Sequence, residues 1–91
     1  MYLHIGQETV IKKNEIVGIF DMENTTVSKF TRDYLAYAEK KRRVVTVCDD
    51  IPRSFVICRQ KNGRETVYIS QISCATLRKR WNNEWKDLEN E

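Results

Sequence analysis

Apolar and polar positions recur along this chain with different periods, and each change of period marks an element. Tyr2–Gly6 and Thr9–Lys12 read as short strands joined by a turn at Gly6, Gln7 and Glu8. A second turn at Asn14 leads into residues 15–20, a near-continuous apolar run expected to form a central strand. Gly18 inside that run marks a bulge or a close backbone approach. Residues 21–26 are polar and rich in candidate helix caps. From Val27 the period lengthens. Val27, Phe30, Tyr34 and Tyr37 or Ala38 recur at steps of three and four, with Thr31 and Leu35 alongside. That spacing predicts an amphipathic helix of about four turns. Its last turn holds Lys40, Lys41, Arg42 and Arg43, cations placed where the helix dipole favours them.

Residues 44–48 return to a strand pattern, stopped by Asp49, Asp50, Ile51 and Pro52. Pro52 biases Ile51 towards an extended conformation, which makes this segment a connection. The apolar runs Ser54–Arg59 and 66–72 then flank a polar stretch containing Asn62-Gly63. Asn-Gly between β-branched and aromatic runs is a strong hairpin signal, because both residues tolerate positive φ. Ser73 caps a second helix in which Leu77, Trp81, Trp85 and Leu88 share one stripe. Two tryptophans on a terminal helix carry large apolar areas, so they cover the sheet or bury into a second copy. The chain therefore reads as α+β: a small, mainly antiparallel sheet of five to six strands, one central helix and one C-terminal helix. It is expected to be a single domain over residues 1–91, with 81–91 an acidic C-terminal helix or tail.

Composition narrows the functional classes. A chain of 91 residues buries a smaller fraction of its surface than a larger protein does, and association is a common remedy for the thin stability margin. No stretch approaches a membrane span, and the N-terminus lacks signal-peptide character. Cys48, Cys58 and Cys74 are odd in number and form no CxxC pair, and His4 is the only imidazole. Neither a disulfide framework nor a zinc site is expected, and the cysteines read as reduced, structural and cytoplasmic. His4 alone, Asp49-Asp50 pointing apart on an extended chain, and three isolated glycines supply no convergent catalytic set and no phosphate cradle. A non-enzymatic protein without cofactor or metal is expected. Net charge is +3, split unevenly: residues 1–26 carry −2 and residues 27–91 carry +5. The excess cations could meet phosphates or simply form a solvated face.

Several short pieces resemble a bacterial family. They are Leu3-His4-Ile5-Gly6, Ile16-Val17-Gly18-Ile19-Phe20-Asp21, Lys29-Phe30-Thr31-Arg32, Ser54-Phe55-Val56, and Ser70-Gln71-Ile72-Ser73 followed by Thr76-Leu77-Arg78-Lys79-Arg80. In this order and spacing, over roughly residues 2–80, they resemble the extracellular matrix regulatory family (RemA and RemB), nearer its B-type than its A-type members. The resemblance implies a cytoplasmic, DNA-binding transcriptional regulator of biofilm matrix genes. It also implies a LytTR-like fold and self-association into a ring-like homo-oligomer that presents arginines repeatedly to double-stranded DNA. The A-type pattern places an arginine cluster before the central hairpin strand. Here those positions read Asp49, Asp50, Ile51, Pro52 and Arg53, so only Arg53 remains, and a further arginine position holds Glu15. A proline that the pattern places at the helix entry is Thr26 here.

DNA contacts are accordingly expected from Lys29, Arg32, Lys40, Lys41, Arg42, Arg43, Arg53, Arg78, Lys79 and Arg80, and the oligomer interface from Thr26, Trp81 and Trp85. The alternative is a protein–protein interaction module that has lost DNA binding and tunes the assembly of a sibling regulator. Acidic Glu15, Asp49 and Asp50 favour that alternative, since carboxylates repel a phosphate backbone.

Overall fold

The computed structural model describes residues 1–22, 28–47 and 50–82. Strands β1 (Tyr2–Gly6) and β2 (Thr9–Lys12) pair antiparallel, and a 3₁₀ turn over Lys13–Glu15 leads to β3 (Ile16–Asp21). Helix α1 (Lys29–Lys40), strands β4 (Val44–Val47), β5 (Ser54–Arg59) and β6 (Glu65–Ser70), and helix α2 (Cys74–Asn82) follow. The architecture is α+β, as the patterning predicts. Its strands divide between the β1–β2 hairpin and a four-stranded sheet of order β3-β5-β6-β4. Pairing is antiparallel except between β4 and β6, which run parallel.

Strict alternation along β5 and β6 sends side chains to both faces of the four-stranded sheet. Phe55 and Val67 pack with Ala38 of α1, joined by half-buried Phe20, Tyr34, Leu35, Val44 and Ile57. On the opposite face Val56 and Cys58 pack with Leu3, Ile5 and Ile11 of the hairpin and Leu77 of α2. The molecule is thus three layers: α1, sheet, and hairpin with α2. Full burial of side chains such as Phe55, Val56, Val67 and Leu77 stabilises the fold by about 1.5–3 kcal/mol each.

Two serines close the far end of this sheet. Ser54 and Ser70 are cross-strand partners, and both are fully buried. The Ser70 hydroxyl donates to the Ile5 carbonyl at 2.6 Å and accepts from the Ile72 amide at 3.0 Å. The Ser54 hydroxyl donates to the Ile72 carbonyl at 2.7 Å. These bonds tie the hairpin to the sheet and fix the chain just before α2. Ser73 then caps α2, accepting from the Thr76 amide at 3.2 Å through its side chain and from Leu77 through its carbonyl.

Three expectations need correction. Residues 15–20 do not form a central strand, because β3 pairs only with β5 and lies at the sheet edge. Its apolar run arises because both faces are covered: Ile16 and Ile19 join the hairpin-side core and Phe20 the helix-side core. The register shift between Ile16 and Gly18 makes this possible, since residues three apart on a regular strand face opposite ways. The expected Asn62-Gly63 hairpin forms between β5 and β6. Gly63 donates to the Gln60 carbonyl, Gln60 donates to the Arg64 carbonyl, and only Gly63 of the pair has positive φ (85°), a three-residue loop with a glycine bulge.

The helix ends at Lys40, the first residue of the basic run, so Lys41, Arg42 and Arg43 lie beyond its last turn. Arg42 sits in the left-handed region at φ 57°, donating to the Glu39 carbonyl while Arg43 donates to that of Ala38. That is a Schellman cap with arginine where glycine is usual. Finally, Phe30 is not a core residue, at 88 % exposed, and of Tyr37 and Ala38 it is Ala38 that is buried, Tyr37 being 52 % exposed. The buried stripe runs through Tyr34, Leu35 and Ala38, and it turns the flank bearing Phe30 and Tyr37 outward. Val27, Thr26, Cys48, Asp49, Trp85 and Leu88 lie outside the described residues.

Gly18 admits a direct test. A Cβ there would meet the Phe20 ring at 2.6–2.7 Å, and that ring stacks on Phe55 with centroids 5.1 Å apart. Gly18→Ala should lower unfolding free energy by about 1–3 kcal/mol in urea denaturation, through overpacking. An unchanged midpoint would show that the ring can move aside.

Candidate nucleic-acid interface

The three layers decide which cations share a surface. Lys29, Arg32 and Lys40 are exposed on α1, and Lys41 and Arg42 continue from its end. The Lys41 ammonium stands 5.7 Å from the centroid of the Tyr37 ring, a cation–π contact. Arg43 is half-buried, and its carbonyl accepts from the Val67 amide. Among the described residues, no ion pair engages Lys29, Arg32, Lys40, Lys41, Arg42, Arg53 or Arg78.

Arg53 is exposed immediately before β5. Its backbone bonds to Ser70 and Met22 hold it at the sheet end opposite the β5–β6 turn. Arg78, Lys79 and Arg80 lie on α2, on the other side of the sheet from α1. Arg78 is exposed and borders an open groove along β3 lined by Ile16, Val17, Gly18, Ile19 and Trp81. Arg80 is half-buried, donates to the His4 carbonyl at 3.1 Å and lies 3.4 Å from its Nδ1. Its guanidinium therefore also holds α2 against β1. The ten cations expected as DNA contacts do not form one patch; they divide among α1 and its end, α2 across the sheet, and Arg53 at the sheet end.

A further basic group emerges from the topology. The parallel pairing of β4 with β6 brings the end of α1 beside the β5–β6 turn, which carries Arg59, Lys61 and Arg64. Arg59 pairs with Glu65 at 2.6 Å, and the Tyr34 hydroxyl donates to the same carboxylate at 3.0 Å. Arg43 acts on both Tyr34 and Glu65 through space. The basic spacing of residues 59–64 is visible in sequence, but its proximity to residues 40–43 depends on a parallel strand order that no local pattern encodes.

This network sets the visible acid–base behaviour. Hydrogen bonds from Arg59 and then Tyr34 hold the Glu65 carboxyl below the usual carboxylate range. Burial, then the bond to Glu65, pushes the Tyr34 phenol up. Burial raises the Cys58 thiol to about 11, with Glu15 adding to it, so this cysteine is an inert core residue. Cys74 is also buried and free, its Sγ 3.8 Å from the Ile19 carbonyl.

The interface residues separate as well. Leu77 is fully buried, whereas Trp81 is 37 % exposed with the Lys13 ammonium 5.0 Å from its ring centroid. The same ammonium donates to the Trp81 carbonyl at 2.9 Å, a cation closing the last turn of α2. Thr26 and Trp85 lie outside the described residues. Of the acidic replacements, Asp50 is exposed and accepts from the Ile51 amide, and Glu15 is half-buried. No helix among the described residues is long and apolar enough to cross a membrane.

The chain belongs to the RemA-like family: the model for extracellular matrix regulatory protein A-like proteins matches residues 2–81. It is also 34 % identical over 80 residues to extracellular matrix regulatory protein B of Bacillus subtilis, covering 88 % of this chain and 89 % of that protein. Both findings support a role in matrix regulation.

Glu65 yields a pH test. Its carboxylate is lowered in the fold, so its contribution is complete above about pH 4.3, the unfolded value, and is lost as pH falls through the lower folded value. Glu65→Gln should cost about 1 kcal/mol at neutral pH, the scale of an accessible ion pair with one added hydrogen bond. In denaturation series the gap to the parent should close on acidification. A gap independent of pH would remove the charge from the explanation.

Proposed function

We propose that this chain is a non-enzymatic, cytoplasmic DNA-binding transcriptional regulator of biofilm extracellular matrix genes. It acts as a homo-oligomer, ring-like in form, on the phosphates of double-stranded DNA. The observation that carries the reading is α1. Lys29, Arg32 and Lys40 share its solvent side, and Lys41 and Arg42 extend it, with no ion pair among the described residues. Eleven helical steps from Lys29 to Lys40 span ~17 Å. That length matches about five phosphate spacings along one strand. Exposed Asp33 and Glu39 dilute the charge, which keeps affinity per copy low. A homo-oligomer multiplies such weak contacts when neighbouring subunits engage one duplex. Sequence preference then comes from DNA shape more than from base edges, since backbone contacts carry no sequence information.

The second reading is an interaction module that modulates a sibling regulator without touching DNA. Exposed Asp50, three residues before Arg53, is the observation that favours it.

Arg42 separates charge from folding better than the other cations. Because its φ suits glycine, Arg42→Gly should hold or raise stability, by up to about 1 kcal/mol, while deleting one cation. Under the DNA reading, affinity for random duplex falls steeply from roughly 50 to 200 mM salt. Arg42→Gly should then weaken binding several-fold and lower the salt slope by about one per engaged subunit. Absence of binding at the lower salt overturns this reading and leaves the sibling module.

A further inference from the structure

The two ends of the four-stranded sheet differ in charge. At one end the last residues of α1 and the chain that follows (39–43) stand beside the β5–β6 turn and its flanks (59–65). Together these stretches hold seven cations and two carboxylates, whereas the whole chain has a net charge of only +3. One of those carboxylates, Glu65, is already engaged by Arg59 and the Tyr34 hydroxyl. Exposed Asp33 lies about two helical turns back from Lys40, and half-buried Glu15 stands at the β3 corner, near Cys58. Lys61 and Arg64 are exposed, and no ion pair engages either among the described residues.

We propose that the β5–β6 turn is a DNA-contacting element, with Lys61 and Arg64 meeting backbone phosphates alongside Lys41 and Arg42. The inference rests on the DNA reading proposed above and names the end of the molecule that docks.

Backbone geometry builds this surface. The Arg43 carbonyl accepts from the Val67 amide at 2.8 Å, which fixes the chain leaving α1 beside β6. Strand β6 begins two residues before Val67, at Glu65, and the turn precedes it. At about 3.3 Å per residue, Arg64 stands ~10 Å past Val67, so the turn projects beyond the level where β4 begins. Its own backbone fixes it. Gln60 donates to the Arg64 carbonyl at 2.8 Å, Gly63 to the Gln60 carbonyl at 2.9 Å, and the Arg64 amide to the Asn62 side chain at 2.9 Å. None of these bonds uses the Lys61 or Arg64 side chain, so both cations can turn to a ligand.

The placement of acids favours this end over the other. Val47 pairs with Ser70, and the Arg53 amide donates to the Ser70 carbonyl. Exposed Asp50, three residues from each, therefore belongs to the opposite sheet end. The six residues of β5 separate that end from the turn by ~20 Å. That is about twice the Debye length of ~10 Å at 0.1 M salt, so Asp50 barely opposes a phosphate docked at the turn. The carboxylate that favours a DNA-free module is thus compatible with DNA bound at the other end.

The test titrates full-length chain into a random-sequence duplex between roughly 50 and 200 mM salt. Lys61→Ala with Arg64→Ala should weaken binding about tenfold at the lower salt and reduce the salt slope by about two per engaged subunit. Lys12→Ala removes an exposed cation of β2, on the other side of the sheet from α1, and should leave both quantities unchanged. Circular dichroism should show both variants folded. If the parent binds and the double variant binds equally, or Lys12→Ala weakens binding as much per charge removed, the turn is not the contact and the DNA reading stands on other cations. A parent that binds no duplex at the lower salt overturns the DNA reading itself, and this inference with it.

Discussion

Everything in this molecule follows from a four-stranded sheet that buries both of its faces. Strands β5 and β6 alternate so that Phe55 and Val67 look towards α1 while Val56, Cys58 and the two buried serines look towards the hairpin. A chain of this size has little area to spare, so each face must be covered by a short element. Helix α1 covers one face with only Tyr34, Leu35 and Ala38. Helix α2 and the hairpin cover the other, locked by Ser70 to Ile5 and by Arg80 to His4. The Ser70 bond is buried, and removing its hydroxyl would strand the Ile5 carbonyl in the core, whereas the Arg80 bond lies at the surface.

That same constraint distributes the charge. Two covering helices on opposite faces carry two separate sets of cations, and one protomer cannot lay both on a single stretch of duplex. Among the described residues the sheet also leaves β3 and β4 as edges, and it leaves Phe30, Tyr37 and Trp81 exposed. Weak, divided charge and uncovered apolar surface are separate features of one protomer. Under the proposed reading, both are resolved by association: repeated copies align one basic face along a polyanion while covering each other's aromatic surface.

Local rules made much of this legible. The hairpin strands, the Ser73 cap and the Gly18 bulge all express short-range chemistry, and all are present. Non-local choices were not legible. Nothing in residues 15–20 distinguishes an edge strand covered on both faces from a central one, because both read as continuous apolar runs. The parallel placement of β4 beside β6, which brings the end of α1 towards Arg59, Lys61 and Arg64, is likewise a decision of the whole chain. Phe30 and Tyr37 fit the helical stripe in sequence. Their exposure depends on how α1 is rotated on the sheet, set by Ala38 and Leu35. Arg42 in a glycine conformation had no local signal at all.

The central claim is that repeated copies, and not a single one, engage the duplex. Stoichiometry on a short double-stranded DNA tests it most directly, by sedimentation of the complex at saturation in low salt. The account predicts several copies per duplex, with a sigmoidal approach to saturation. A complex that saturates at one copy per duplex, with a simple hyperbolic isotherm, would contradict it.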